Sequence, residues 1–266
     1  MHVSTVRKRE GGMKQPHLLI IILSFFFCYN EPALSQSLGV VQSSGTNRVI
    51  AGGASFVIDF TNQTIVTFSG DGGPATEAGL SNPHDISFDS DGNLYIVDAG
   101  HHRIRKVDAE TGIITTIVGN GNEGFIGDGG LATEASLSSP SDIAIDKEGH
   151  IYISDTANHR IRKVDKQTQI IDTVLGDPLL SPGPIIIDDS GTIYYVHGNS
   201  QLYKLPSNGN PVQIALQGLT LIFDIEFDSL GNILLAGRDD NYNFQILKYW
   251  ILTQTLENIE TAPPCL

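Results

Sequence analysis

Aspartates stand at the start of several short apolar segments of this chain, where their carboxylates could bind a ligand. Asp85, Asp142 and Asp224 open the runs DISF, DIAI and DIEF. Carboxylates that converge at one point attract a cation or an amine-bearing ligand. An aspartate in such a position can also cap a connecting loop through its side-chain oxygens. We favour this structural role and keep the cation site as the alternative.

A histidine–arginine pair follows another aspartate at the same offset in two places. Asp98 precedes His102–Arg103, and Asp155 precedes His159–Arg160. An aspartate accepts hydrogen bonds from the N–H groups of a turn, and a nearby arginine can pair with it. Each set is therefore suited to clamp its turn, while ligand contact is the functional alternative. Because the two sets have identical spacing, as scaffold residues do, we favour the clamp.

Known catalytic patterns are absent from the sequence. It contains neither G-x-S-x-G nor H-E-x-x-H, and its eight histidines are not spaced as a local metal site. His84, His159 and His197 would have to converge from distant parts of the chain to hold a metal ion. We therefore predict no catalytic residue, no resident metal and no cofactor.

Two glycine-rich segments with the sequence GDGG contain Asp71 and Asp128. They lack the Lys-Ser/Thr of a phosphate-binding P-loop, and their carboxylates do not have EF-hand spacing. We expect each segment instead to introduce a short helix-like turn with the sequence ATEA. Leu80 and Leu137, which follow these turns, are expected to anchor them between packed units.

The elements that position all these residues belong to an internal repeat. Residues 70–108 recur almost unchanged at 127–165. Extended to residues 119 and 176, each unit divides into four short β segments separated by turn residues. Weaker units cover residues 38–69, 184–216 and 223–259, which makes about five. Four antiparallel strands per unit predict an all-β protein, a β-propeller of four-stranded antiparallel blades.

The repeated motifs resemble those of the NHL-repeat β-propeller family, in its secreted type. They are Pro83-x-Asp85-Ile86, Gly92-Asn93-Leu94-Tyr95-Ile96-x-Asp98 and His102-Arg103-Ile104-Arg105-Lys106-Val107, their counterparts between Pro140 and Val164, and the linking pattern GDGG-ATEA-L. The resemblance implies a ring that usually closes with six blades, against the five counted here. It also implies propeller relatives that are amidating lyases and lactonases, with metal ligands drawn from several blades. The unit at 184–216 departs from the motif, with His197 at the position of Asp98 and Asp155.

Propeller connectivity places the turn between the second and third strands of each blade on the same face as the loops that join successive blades. We call this the crossover face; it includes the connecting segments 70–82 and 119–139, and loops of this kind often carry function. The candidate binding residues on it are His84, Asp85, Asp142, His101, His102, Arg103, His159 and Arg160.

Charge and the N-terminal sequence bear on partners and location. The formal charge is −14, and from residue 36 onward 12 basic residues face 28 acidic ones, which repels nucleic acid. A basic flank, an apolar run at 18–27 and the small residues Ala33–Ser35 are typical of a secretory signal peptide. We predict a signal peptide and N-terminal extension over 1–35, a propeller over 36–260 and a tail over 261–266. The mature protein is expected to be secreted, extracellular or periplasmic, without a membrane span.

The sequence favours a non-enzymatic, monomeric binding module that uses the crossover face to contact an unidentified protein or small ligand. Two alternatives stay open. One is a metal-dependent lyase or lactonase built on the same ring, and the other is a structural fragment of a larger propeller, since fold alone does not settle function.

Overall fold

Short strands and tight turns make up the part of the chain that the structure describes. A computed structural model describes residues 41–43, 46–51, 54–58 and 70–262. The turn after the first strand of each blade is shaped by its own polar residues. In the turn at residues 89–93, Asp89 Oδ1 accepts the N–H groups of Asp91 and Asn93. Gly92 adopts a φ of +83°, which a glycine tolerates at little cost.

In chain order the strands are β1 (Val41–Ser43), β2 (Thr46–Ala51), β3 (Ala54–Ile58), β4 (Pro83–Phe88), β5 (Leu94–Asp98), β6 (Arg103–Val107), β7 (Ile114–Val118), β8 (Gly130–Leu131), β9 (Asp142–Ile145), β10 (Ile151–Asp155), β11 (Arg160–Val164), β12 (Ile170–Gly176), β13 (Pro182–Ile187), β14 (Ile193–His197), β15 (Gln201–Leu205), β16 (Val212–Ile214), β17 (Leu221–Phe227), β18 (Ile233–Arg238), β19 (Phe244–Trp250) and β20 (Thr255–Ala262). Within residues 70–262 the helices are single 3-10 turns at Ala75–Glu77, Ala99–His101, Ala132–Glu134 and Thr156–Asn158.

Residues 70–262 form four antiparallel blades. From the inside outward these are β4–β7 (blade 1), β9–β12 (blade 2), β13–β16 (blade 3) and β17–β20 (blade 4). The innermost strand of each blade lies beside that of the next, while belonging to a separate sheet. This arrangement confirms the predicted all-β propeller of four-stranded blades.

The N-terminal unit is a three-stranded sheet formed by β1, β2 and β3. Residues 59–69 of the unit predicted at 38–69, the predicted signal peptide at 1–35 and residues 263–266 lie outside the described residues. Across the described ranges, no helix has the length and apolar character needed to cross a membrane. The predicted domain boundaries and the closure of the ring stay predictions.

The hydrophobic core lies between neighbouring blades, because each blade is apolar on both faces. Val97 and Ile104 of blade 1 pack with Ile153 and Ile171 of blade 2 in one cluster, and all four side chains are fully buried. Similar clusters join blade 2 to blade 3 and blade 3 to blade 4. Each blade therefore depends on its neighbour to bury its apolar side chains.

The GDGG segments reinforce the outer edge of the blade that follows them. Segment 127–137 contributes β8, which pairs with β12. On blade 1 the N–H of Gly72 donates to the carbonyl oxygen of Ile114, and the N–H of Ile114 donates to that of Gly73. Each segment then forms the expected short turn over the sequence ATE, a 3-10 helix. Leu137 is completely buried between blades 1 and 2, as expected, whereas Leu80 is only partly buried and packs against blade 1.

Candidate functional site

The predicted residues of the crossover face come together at one end of blades 1 and 2. Pro83, at the start of β4, pairs with Asp98 at the end of β5, so the start of the inner strand and the turn at residues 99–102 share one end of the blade. In this turn and its counterpart in blade 2, His102 and His159 adopt left-handed backbone conformations, with φ of +54° and +58°. The identical spacing of the two motifs along the chain thus places His102 and His159 at equivalent positions on the crossover face.

Asp85, Asp142 and Asp224, which lie on inner strands, line a cavity of about 460 Å³ along the axis, between the four inner strands. Asp85 Oδ2 accepts the N–H of Ile143 at 3.2 Å, and Asp142 Oδ2 accepts the N–H of Ile185 at 2.5 Å. Each carboxylate thus binds the backbone of the next blade, a role that differs from the loop cap expected from the sequence. These contacts join blades 1 to 2 and 2 to 3 around the axis.

Burial changes the protonation of the carboxyl groups that line the axial cavity. Burial raises the pKa of Asp85, and burial together with the charge of Asp85 raises the pKa of Asp142 well above its usual range. The two carboxyls share a hydrogen bond, so a proton on Asp142 prevents two adjacent buried charges. Glu226, two residues beyond Asp224 on β17, also lines the cavity. Burial, aided by the charge of Asp85, raises its pKa to about 8.

The histidines considered as metal ligands make other contacts. Nδ1 of His159 lies 2.6 Å from the carbonyl oxygen of Leu180, and Nδ1 of His197 accepts the N–H of Ser181 at 3.2 Å. Nε2 of His84 lies 3.2 Å from Nδ2 of Asn82. Within residues 70–258, no three His, Cys, Asp or Glu side chains are grouped so that they could hold a metal ion.

Asp98 and Asp155 do act as clamps, but they hold the connecting segments. Asp98 Oδ1 accepts the N–H of Ser81 at 2.6 Å, and Asp155 Oδ1 accepts the N–H of Ser138 at 2.8 Å. Their second oxygens contact the 3-10 turn, through His101 in blade 1 and Asn158 in blade 2. Each loop is therefore fastened to a fully buried carboxylate.

The arginine that pairs with each clamp is the second of the RIR sequence. The expected partners were Arg103 and Arg160, but Arg162 Nη1 lies 3.9 Å from Asp155 Oδ2, and Arg105 Nη1 lies 3.7 Å from the equivalent oxygen of Asp98. Arg105 and Arg162 follow Arg103 and Arg160 by two residues. Because side chains alternate along a strand, they lie on the same side of the strand as those arginines but further from the turn. Arg105 and Arg162 therefore join the two clamps, beside Arg103 and Arg160, whose charges also interact with Asp98 and Asp155.

The aspartate of each GDGG segment completes the same network. Asp71 Oδ1 and Asp128 Oδ1 lie 2.6 Å from Nη2 of Arg105 and of Arg162. Although burial opposes it, hydrogen bonds from Thr173 and Arg162 lower the pKa of Asp128. The fully buried Arg162 side chain thus lies between two carboxylates. Both pairs are separated by 34 positions in sequence, which is the signal that could have revealed them.

Aromatic residues of the crossover face were missed by the sequence analysis. The guanidinium carbon of Arg160 lies 4.8 Å from the centre of the Phe125 ring, which is 60% exposed. In blade 4, three rings surround the guanidinium of Arg238, at distances of 5.0 to 5.9 Å from its carbon atom; they belong to Phe223, Phe244 and Tyr242. Tyr242 is 72% exposed. Phe125 and Tyr242, which lie in loops or turns, were the available signal, whereas Phe223 and Phe244 lie in strands.

The family model described as the Teneurin NHL domain matches residues 49–125 and 120–193, more than half of the chain. The human protein named NHL repeat-containing protein 2 is 26% identical over 204 residues, which cover 72% of this chain and 27% of that protein. Zebrafish (Danio rerio) Teneurin-3 is 40% identical over 112 residues, covering 37% of this chain and 4% of that protein. The chain thus spans about a quarter or less of the lengths of these curated relatives.

A solved structure of virginiamycin B lyase from Staphylococcus aureus is similar to this chain in fold. Its TM-score is 0.52 at 13% sequence identity, with coverage of 81% of this chain and 62% of that one. At this level of identity the similarity concerns the propeller architecture alone.

Proposed function

The chain belongs to the NHL family that the teneurin NHL domain represents, and on that premise we propose that it is a non-enzymatic binding module whose crossover face contacts a protein. Two groups of residues on that face support the proposal. The first comprises Phe125 and Arg160, and the second, which we call the blade 4 cluster, comprises Phe223, Arg238, Tyr242 and Phe244.

The blade 4 cluster is the observation that carries the proposal. Tyrosine and arginine are enriched among the residues that dominate the binding energy of protein interfaces. Here three rings hold one guanidinium by cation–π contacts while Tyr242 stays mostly exposed. A rigid, exposed aromatic surface loses little conformational entropy when a partner covers it.

The clamps beneath the loops support the same function. Asp98 and Asp155 fix the connecting segments at Ser81 and Ser138, and the buried Arg105 and Arg162 neutralise them. A surface held in this way is preorganised for binding. The partner would meet a strongly acidic domain, so we also propose that nucleic acid is not a partner.

We further propose that the protein is secreted, to an extracellular or periplasmic location, and acts as a monomer. The proposal of secretion rests on the basic flank, the apolar run at 18–27 and the small residues Ala33–Ser35. N-terminal sequencing of the exported protein tests it. A new N-terminus near Ser35 is expected, and an intact residue 1 on the exported protein would contradict it.

The alternative function is that of a metal-dependent lyase or lactonase. The observation behind it is the axial cavity, which Asp85, Asp142, Asp224 and Glu226 line, although among the described residues they are not grouped as metal ligands. Elemental analysis of the purified protein separates the two functions. Zinc or calcium at one ion per chain, retained through dialysis, would count for the enzyme and against the binding module.

Cross-linking with partner identification tests the binding module directly. The double variant Arg238→Ala with Tyr242→Ala removes the centre of the blade 4 cluster and should abolish partner capture. The matched control is Leu230→Ala, because Leu230 is 76% exposed but lies in the turn between β17 and β18, at the opposite end of the blade. Equal capture by the two proteins, at unchanged thermal stability, would refute the proposal.

A further inference from the structure

One serine in each of the segments that lead into blades 1, 2 and 3 is held by the same two hydrogen bonds. These serines are Ser81, Ser138 and Ser181. The carbonyl oxygen of each accepts an N–H group from the turn between the second and third strands of the blade. The N–H of each serine donates to the last residue of the second strand, which is Asp98 in blade 1 and Asp155 in blade 2. In blade 3 the acceptor is Nδ1 of His197, at 3.2 Å, so an imidazole replaces the carboxylate of the clamp.

The cation of the clamp is replaced in blade 3 as well. Arg105 and Arg162 are the third residues of β6 and β11, and the third residue of β15 is Tyr203. The ring of Tyr203 meets that of His197 edge-on, with 5.9 Å between the ring centres. An aromatic ring therefore lies where blades 1 and 2 have a guanidinium. The other ionisable side chains on the elements around His197 are Tyr195 in its own blade and, at the end of blade 2 from which residues 177–181 lead away, Asp177, His159 and Arg160.

The two kinds of acceptor respond differently to a proton. A carboxyl group that takes up a proton keeps an oxygen that accepts hydrogen bonds, so Asp98 and Asp155 retain an acceptor in either state. A neutral imidazole has a single acceptor nitrogen, and both of its nitrogens are donors once it is protonated. Because the N–H of Ser181 is a donor, it competes with a proton for the one lone pair on Nδ1 of His197. Histidine is the side chain that ordinarily changes its charge between pH 5 and 8.

We propose that His197 is a pH-sensitive clamp, which holds segment 177–181 on the crossover face while its ring is neutral and releases the N–H of Ser181 when the ring is protonated. Leu180 of the same segment is buried between blades 2 and 3, so the release loosens the segment locally and leaves the blades in place. The segment also borders Arg160, so the proposed binding surface would change with pH at that point. This last consequence rests on the proposed function, whereas the clamp itself does not.

Amide hydrogen exchange of the isotope-labelled protein, followed by NMR at pH 8 and pH 5, tests the clamp, and the ring protons of His197 report its charge in the same samples. Protection of the Ser181 amide, corrected for the intrinsic exchange rate at each pH, should fall by about fivefold on acidification, the usual worth of one neutral hydrogen bond. Protection of the Ser81 amide should change less. Undiminished protection of Ser181 at pH 5 would overturn the proposal, whether or not His197 is charged there, and an equal fall at Ser81 would indicate general loosening and also count against it.

Two matched variants assign the effect to one ring. His197→Asn supplies an acceptor oxygen that does not titrate, and it should make the protection of Ser181 equal at pH 8 and pH 5. His150→Asn is the control, because Nδ1 of His150 also accepts a backbone N–H, that of Lys166 at 3.1 Å, but in the turn between β9 and β10 at the opposite end of blade 2. It should leave the fall at Ser181 intact, and melting curves confirm that both variants are folded. A fall at Ser181 that persists in His197→Asn would refute the clamp, while partner capture by the blade 4 cluster is measured separately and stands or falls by itself.

Discussion

Replacing Glu226 by glutamine should stabilise the protein as the pH rises. Glu226 lines the axial cavity, and its carboxyl Oε1 accepts the N–H of Phe227 at 3.1 Å. Glutamine keeps that acceptor and removes the ionisable group. Burial and the charge of Asp85 raise the pKa of Glu226 from 4.5 to about 8, so the folded state binds a proton that the unfolded state has already lost.

The magnitude follows from the two pKa values. Between pH 4.5 and 8 the unfolded state binds fewer protons, so the free energy of unfolding falls as the pH rises, by about 1.36 kcal/mol per unit. At pH 7 the accumulated cost to the wild type is about 3 kcal/mol, and above pH 8 it levels off at about 5 kcal/mol. Below pH 4.5 Glu226 is protonated in both states and costs nothing. The glutamine variant avoids the cost at every pH.

Urea unfolding of both proteins between pH 4.5 and 9 measures this difference. The wild type and Glu226→Gln should have similar stability at pH 4.5. At pH 7 the variant should be more stable by about 3 kcal/mol, which corresponds to a melting temperature higher by roughly 6 to 12 °C for a protein of this size. Glu148→Gln is the control, since the side chain of Glu148 is 56% exposed, and its profile should follow the wild type. Parallel profiles for wild type and Glu226→Gln would show that Glu226 is not buried as described.

Two further substitutions test the clamps. Arg162→Ala removes the fully buried cation beside Asp155 and should cost about 3 to 5 kcal/mol, whereas Lys166→Ala, at an exposed site, should cost less than about 0.5 kcal/mol. Equal melting temperatures would contradict the network. Gly119→Ala and Gly112→Ala both place alanine at positive φ, but only the methyl group at residue 119 would overlap a carbonyl oxygen, that of His102. Gly119→Ala should therefore lower the melting temperature more, and the reverse order would contradict this loop geometry.

Local features of the sequence predicted the strands and their turns. The repeat units that run from 70 to 119 and from 127 to 176 each have four β segments, and the turns between them contain glycines such as Gly92 and Gly149, which the structure shows at φ of +83° and +84°. Strand alternation and turn chemistry act within a few residues, so they can be recognised from the chain alone. The repeat then predicted stacked blades, because one blade cannot bury both of its faces.

The partners within the candidate site could not be chosen in the same way. Arg103 and Arg105 are both near Asp98 in sequence, but the contact of Arg105 with both Asp98 and Asp71 exists only in the folded blade. Similarly, the bond from Ile143 to Asp85 joins residues separated by 58 positions on different blades. Such pairings depend on where the ring places neighbouring blades.

What the sequence determined by itself was therefore the unit: four strands, their turns, the repeat and the face on which its loops emerge. The tertiary structure decided which charges meet and which side chains hold the connecting segments. Arg105 and Arg162 each pair with an aspartate 34 positions away, a contact that only the folded chain provides. The physical reason is that the energy of a buried charge or an exposed ring depends on neighbours supplied by other blades, whereas the strand pattern depends on the residues of the blade itself.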